Sequence, residues 1–326
     1  MSEKARWVIA CDGARSRVRQ SLGIQLDDLQ FEEPWLVVDA EVDGDVQFPK
    51  LTGVPDEADL QQMSVMMCDP KRPMTIVPGR GNHRRWEMML LPGEDDQMMM
   101  QADKVAELVR PYLNGVPHHI VRAATYRFHG LIAAQWKIGQ VFLAGDAAHQ
   151  TPPFFGQGMC HGLRDVANLV WKMSAIQRGL ADETLLETYQ LERDSHVRSV
   201  ISSAVEAGQY ICILDEQKAA ERDAVIRKKA FLNELPGTAA ELIPAIRAGV
   251  IAEETVKAGA RFIQPRMNGR LMDDVIGGDW KLFVTGEAAF TAAKTFIDKS
   301  MPDYCMSITD VTSLEEGHAL STGYKE

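Results

Sequence analysis

The chain has 326 residues, 45% of them apolar and 25% charged, an ordinary soluble composition with material for one large or two ordinary domains. A formal net charge of −11 argues against nucleic acid or an anionic membrane surface as partner. No apolar run approaches a membrane span and MSEKAR lacks a signal-peptide core, while Cys11, Cys68, Cys160, Cys212 and Cys305 are scattered without a CxxC. This pattern predicts reduced thiols in a cytoplasmic protein, with neither a disulfide frame nor a metal site.

In chain order, Trp7–Cys11 reads as a strand ended by Asp12-Gly13, and Ser16 and Arg19 fall in a short helix whose N-terminus suits an anion. Alone, such a turn is as readily a solvated loop with surface arginines. Trp35–Val42, Met63–Cys68, Met74–Pro78 and His83–Leu91 are expected as strands of a second sheet, separated by Pro-Gly or Gly-rich turns. His83–Leu91 alternates, with Arg84, Trp86, Met88 and Leu90 on one face and Arg85, Glu87, Met89 and Leu91 on the other. An arginine there can pair a carboxylate bidentately, although an exposed strand arginine is the commoner case. Lys104–Leu113 is expected as an amphipathic helix, His118-His119 as a solvated loop, and Tyr126–Trp136 as the return to the main sheet.

The stretch Gly139–Lys172 is the most informative. Val141–Ala144 is a short apolar strand, and Gly145-Asp146 sets a carboxylate just past its C-terminal end, where ligands bind in open α/β sheets. Pro152-Pro153 and the glycine-spaced turn Gly156-Gln157-Gly158 lead into a helix. Met159, Leu163, Val166, Val170 and Met173 recur along it at helical spacing and predict one buried stripe. Glycines at a helix start let backbone N–H groups approach a ligand closely. The chain is expected to be helical from Asp182, capped by Asp182 or by a Thr184/Glu187 capping box, with Leu185, Leu186, Tyr189, Val197, Val200, Ile201 and Val205 buried. Glu187, Glu192, Arg193 and Asp194 are expected on a solvated face. Ala219–Ala258 is a helical stretch broken near Pro236-Gly237, and Leu314–Glu326 a frayed tail.

Asp12, Gly13, Ser16 and Arg19, followed by GDAAH (Gly145–His149), Pro152-Pro153, GQG (Gly156–Gly158) and the spaced Asp165, Asn168, Leu169, Trp171 and Lys172, resemble two motifs of the FAD-dependent aromatic hydroxylases, a family of flavoprotein monooxygenases. Val166 and Gln140 stand where Ala and Arg are usual. The resemblance implies an α/β (α+β) fold: a partial Rossmann-like FAD-binding domain (1–30 and 126–180), an inserted β-sheet substrate domain (31–125), a helical segment (181–258) and the start of a thioredoxin-like domain (259–326). It also implies FAD contacts at Asp12, Gly13, Ser16, Arg19, Gly145, Asp146, Pro153, Gly156, Gln157, Gly158 and Met159, with NADH or NADPH as electron donor. Arg84, Arg85, Trp86 and Phe154 are the candidate substrate contacts. Tyr126, His129 and His83 are candidates for the base that draws a proton from a phenol. The implied reaction is hydroxylation by O2 of a phenolic ring, such as a 3-hydroxyphenylpropionate-type acid, through a flavin C4a-hydroperoxide, in a homo-oligomer.

One departure bears on this. The family's opening βαβ unit with GxGxxG is not found before Asp12-Gly13, so the ADP half of the FAD site is expected to be missing from this chain. Two other readings therefore stay open: a non-catalytic remnant that binds an aromatic ligand without retaining FAD, and another flavoprotein reaction on the same scaffold.

Overall fold

The computed structural model describes residues 4–51, 54, 57–232, 243–252, 258–262, 264, 266–267, 269–277, 280–300 and 306–310. The chain divides into two compact units, Met1–Val166 with Val197–Leu242, and Ala167–His196 with Ile243–Glu326. The order begins β1 (Val8–Ala10), α1 (Arg17–Ser21), β2 (Leu26–Val42), β3 (Val65–Met67), β4 (Met74–Pro78), β5 (His83–Met89), α2 (Asp96–Met99), α3 (Ala102–Leu113) and β6 (His118–Ala133). It continues with β7 (Lys137–Ile138), β8 (Val141–Leu143), β9 (His149–Gln150), α4 (Gly158–Gln177), α5 (Thr188–Ile211) and α6 (Glu216–Phe231).

The first unit contains two sheets. In the smaller, β1 runs parallel to β8, which pairs antiparallel with β7. The larger is antiparallel, in the order β3-β4-β5-β2-β6-β9. Alternation along β2 sends Leu36, Val38, Ala40 and Val42 to one face, where they meet Trp86 and Met88 of β5. Helix α3 covers that face because Val105, Val109 and Leu113 recur every fourth residue and form its buried stripe.

The opposite face matters more for function. There Trp35 and Met89 pack with Ile211 at the end of α5, and with Phe128 and Phe154. Gly208 permits this docking: a Cβ on it would lie 2.5 Å from Phe31 and 2.6 Å from Phe154. Gly208→Ala is therefore expected to cost about 1–3 kcal/mol through overpacking and to displace Phe154. Urea denaturation followed by tryptophan fluorescence checks this; an unchanged midpoint and spectrum would show that the rings have room to yield.

Several sequence expectations are revised. His118 and His119 open β6, opposite Val42 and Glu41, and are not a loop. The strand expected at Met63–Cys68 is shortened to β3. Asp182 caps a 3-10 turn at Glu183–Glu187 and α5 starts only at Thr188, so the Thr184/Glu187 box does not open the helix. Glu192 and Arg193 are buried, not solvated.

The largest reversal concerns α4. Met159, Leu163, Val166 and Val170 are 77%, 64%, 38% and 47% exposed, and only Met173 of the expected stripe is buried. The buried side instead carries His161, Asp165, Leu169 and Lys172. Hydrophobic periodicity fails here because the polar groups find partners inside, which removes much of the penalty for burying them.

In the second unit, Lys172 donates to Glu192 at 2.8 Å, with side-chain exposures of 0% and 4%. Glu192 also accepts from Asn168 and from the Val250 N–H. Further along come β10 (Arg266–Met267), β11 (Arg270–Leu271), α7 (Met272–Ile276), β12 (Trp280–Val284), α8 (Glu287–Ser300) and β13 (Met306–Asp310). Strands β12 and β13 are parallel, with α8 between them in sequence, a strand-helix-strand unit. The break at Pro236-Gly237, the tail Leu314–Glu326 and Cys305 lie outside the described residues.

Candidate functional site

The parallel pairing of β1 with β8 brings together two motifs far apart in sequence. Each strand ends in a Gly/Asp turn, Asp12-Gly13 after β1 and Gly145-Asp146 after β8. Ser16 caps α1, its Oγ accepting from the Arg19 N–H at 3.0 Å. The Asp12 carboxylate accepts from the Val18 N–H, and the Ser16 hydroxyl beside it holds it below the usual range. Arg19 is buried and clamps the two turns: Nη1 donates to the Ala147 carbonyl and Nη2 to the Ala14 carbonyl, both at 2.8 Å. Gln150 adds a second link to the Ala14 carbonyl. Arg19 thus shapes the site through backbone carbonyls.

Asp146 is exposed on a 3-10 turn, Gly145–Ala147, at the C-terminal end of β8. Gly145 adopts φ +59°, a left-handed conformation natural to glycine, and packs against Gly162 so closely that a Cβ on Gly162 would sit 3.4 Å from its Cα. Beneath the turn lies a buried polar knot that sequence reading did not find. Asp165 of α4 accepts from His149 Nε2 at 2.6 Å and from the Gly145 N–H at 3.0 Å. Trp136, tilted, and His161, edge-on, pack around His149 at ring distances of 5.1 and 5.7 Å. The spacing of His149 and Asp165 in the motif was visible; the contact between them was not.

The loop from Pro152 to Gly158 completes the arrangement. Pro153 opens a 3-10 turn ending at Gly156, whose φ is +61°, and the ladder of α4 begins with His161 N–H to the Gln157 carbonyl. The amides of Gly158 and Met159 precede that ladder, the donors a helix start offers to an anionic ligand. A Cβ on Gly156 or Gly158 would meet nothing within 4 Å, so a flat ring can reach this backbone. Thr151 Oγ1 is buried without a hydrogen-bond partner among the described residues. An exposed carboxylate, an open glycine turn and an unused buried hydroxyl fit the polar edge and ribityl chain of a flavin.

From the same loop Phe154 reaches the six-stranded sheet. It meets Trp35 edge-on at 5.8 Å, Phe128 at 6.0 Å and Phe31 at 5.9 Å, while Trp35 stacks on Phe128 at 5.3 Å. Of the remaining candidates, Arg85 and His83 lie on the Trp35 face of the sheet, at Asp39. Tyr126 pairs with Trp35 in register and accepts from Arg122. His129 lies nearest Glu32, at 3.8 Å. Trp86 is fully buried in the core under α3, the opposite face, and Arg84 reaches Gln61 at 3.4 Å.

The sequence model of the FAD binding domain family matches residues 3–204. This chain belongs to that FAD-binding family. It is 35% identical over 283 residues to the "Probable NADH-specific resorcinol 4-hydroxylase" of Rhodococcus jostii (strain RHA1), covering 87% of this chain and 51% of that protein. It is 34% identical over 319 residues to the 3-(3-hydroxy-phenyl)propionate/3-hydroxycinnamic acid hydroxylase of Mycolicibacterium smegmatis (strain ATCC 700084 / mc(2)155), covering 90% and 54%. The chain thus spans about half the length of the curated relatives it matches. Among solved structures, aklavinone-11 hydroxylase with FAD and aklavinone matches with TM-score 0.72 at 23% identity, covering 98% of this chain and 60% of that one. RebC with bound 7-carboxy-K252c matches with TM-score 0.70 at 21% identity, covering 97% and 62%. These place the chain in the fold of FAD-dependent hydroxylases, a mixed α/β fold.

Proposed function

We propose that the chain acts in an FAD- and NAD(P)H-dependent monooxygenase that hydroxylates a phenolic ring. The observation that carries this reading is Phe154: one side chain of the flavin-motif loop stands on the aromatic face of the sheet, so cofactor loop and ring-binding surface share a wall. The names of the hydroxylase relatives support it, one of them specifying NADH and resorcinol, others hydroxylated aromatic acids.

In this reading Asp146 and the Gly156–Met159 backbone hold the flavin, with Asp12, Gly13 and Ser16 beside it and Arg19 fixing both turns. When bound, reduced flavin supplies the activation and transfer of oxygen, with electrons from NAD(P)H. The chain's own residues do the rest. Phe128 and Phe154, partly exposed and backed by the fully buried Trp35, border the substrate ring and keep water away from it. Tyr126, exposed on the same sheet face, can accept a hydrogen bond from a phenol and pass its own proton on to solvent as the phenolic proton arrives.

Asp146→Ala is expected to weaken FAD binding at least tenfold while leaving the melting temperature unchanged, because the carboxylate is exposed and lies at the ligand-facing end of β8. Titrating the purified chain with FAD, followed by flavin absorbance and fluorescence, measures this. Equal affinities in parent and variant would remove Asp146 from the site. Oxygen-dependent ring hydroxylation of phenolic substrates tests the reaction itself.

A further inference from the structure

One carboxylate on the Trp35 face of the large sheet accepts no hydrogen bond from any described residue. Glu33 lies two residues before Trp35 on β2 and pairs in register with Phe128, as Trp35 pairs with Tyr126. The register is continuous from Glu32 to Asp39, so Glu33 and Trp35 point to one side, with Phe128 and Tyr126 on the same side of β6. Cβ atoms directly opposite on such a face lie about 5 Å apart, and diagonal ones about 7–8 Å. Phe154 of the flavin-motif loop touches Phe31, Phe128 and Trp35, the rings around Glu33. The end of α5 reaches the same place, where Cys212 packs on the cluster and feels the charge of Glu33.

No cation among the described residues offsets that charge. Glu32, its neighbour in sequence, turns to the other face, beside His129. Burial pushes the Cys212 thiol up to about 12, with Glu33 and Cys68 adding to it, and burial raises the Cys68 thiol as well. Both thiols therefore stay protonated and neutral. Tyr126, at the diagonal position, is tied to Arg122. Burial, and then the charge of Glu32, raise the Glu33 carboxyl above its ordinary range. Asp39, further along the same side of β2, shows the opposite balance: hydrogen bonds from Arg85 and Arg122 overcome burial and hold it below.

A half-buried carboxylate without a donor costs stability, and such a local cost marks a place where a ligand brings the donor. A phenolic hydroxyl is a donor of this kind. Phe128 and Phe154, both partly exposed, give its ring an apolar border.

We propose that Glu33 is the general base that takes the phenolic proton. This rests on the monooxygenase reading and adds its proton acceptor. The phenol O–H bond breaks, an O–H bond forms on the Glu33 carboxyl, and the electron pair stays on the phenolate oxygen, which makes the ring richer in electrons. The carboxyl, open to water on one side, then releases the proton. A carboxylate accepts a proton outright, whereas Tyr126 must give up its own, so Tyr126 is the secondary acceptor. Raising the carboxyl also narrows its gap to a phenol, which ionises near pH ~10, and so favours the transfer.

The test compares resorcinol with 1,3-difluorobenzene, which keeps the ring and its size but has no O–H to donate, by calorimetry on the full chain. Near neutral pH the parent is expected to bind resorcinol at least roughly tenfold more tightly, through a charge-assisted bond to Glu33. That preference should shrink as pH falls through the raised pKa of Glu33, because the protonated carboxyl loses the charge. In Glu33→Gln the ratio should fall to within about threefold and lose its pH dependence, while the affinity for the fluorinated ring is retained. Glu33→Asp should recover part of the preference. Because Glu33→Gln removes a carboxylate that no described residue holds, its melting temperature should stay level or rise, which verifies folding. A preference that survives Glu33→Gln with its pH slope intact would overturn Glu33 as the base. So would a parent that binds both probes alike; either result leaves the aromatic reading standing. Binding of neither probe would overturn the aromatic reading and the base with it.

Discussion

Lys172→Met should lower the stability of the chain by about 3–5 kcal/mol, the largest effect expected of any single change here. The substitution strands Glu192, which is 4% exposed at its side chain and among the described residues would keep Asn168 and the Val250 N–H as partners. The double variant Lys172→Met with Glu192→Leu should recover most of the loss, because replacing both charges by apolar groups is far less costly than orphaning one. Chemical denaturation of the parent, both single variants and the double variant gives the coupling directly; a Lys172→Met loss under about 1 kcal/mol would mean that water reaches the pair. The pH dependence has a definite sign. Burial opposes the ionised form of Glu192, but Lys172, Val250 and Asn168 together hold its carboxyl below the ordinary value. Its contribution is therefore complete above the unfolded carboxylate pKa and is lost as pH falls through the lower, folded one. Glu192→Gln should flatten that part of the acid limb.

Asp165→Ala is expected to cost about 3 kcal/mol and to impair flavin binding as well. It leaves His149 Nε2 and the Gly145 N–H without their acceptor in a site where Asp165 is fully buried and His149 is 1% exposed. The turn that carries Asp146 is tied to the protein through that N–H, so loosening it moves the carboxylate. Melting temperature and FAD affinity should fall together in Asp165→Ala, whereas Asp146→Ala should change affinity alone. A variant with normal affinity and lowered stability would separate the knot from the site.

The parts of the structure legible from sequence are those governed by local pattern. The alternation of His83–Met89 divided the two faces of β5 but did not say which was the core, so Trp86, offered as a substrate contact, lies buried under α3; the apolar run before Gly145-Asp146 placed a carboxylate at a strand end. Lys104–Leu113 read as an amphipathic helix, and α3 buries Val105, Val109 and Leu113 along one side. What stayed hidden depends on partners distant in sequence. Nothing near Asp39 says that Arg85 and Arg122 will both close on it, and nothing near Glu192 says that Lys172 will share its burial. On α4 the same blindness inverted the prediction: His161, Asp165 and Lys172 turn inward, and Met159 and Leu163 face outward. A period of 3.6 identifies a face, but only the neighbours decide which face is covered.

The parallel pairing of β1 with β8 also constrains the order in which the chain assembles. Ala10 and Leu143 sit side by side, so forming this pair from an unstructured chain closes a loop of about 130 residues. The long hairpin-like partnership of β2 and β6 shortens that path, since Leu26 lies opposite Ala133 and brings the two arms to a common root. With the large sheet already folded, the remaining loop is roughly 25 residues, and the entropic cost of closure drops by ~1.5 kcal/mol. The sheet should therefore acquire protection from amide exchange first. The clamp of Arg19 onto Ala147 can form only once the two arms have zipped, so competence to bind cofactor is the last property the first unit gains on refolding.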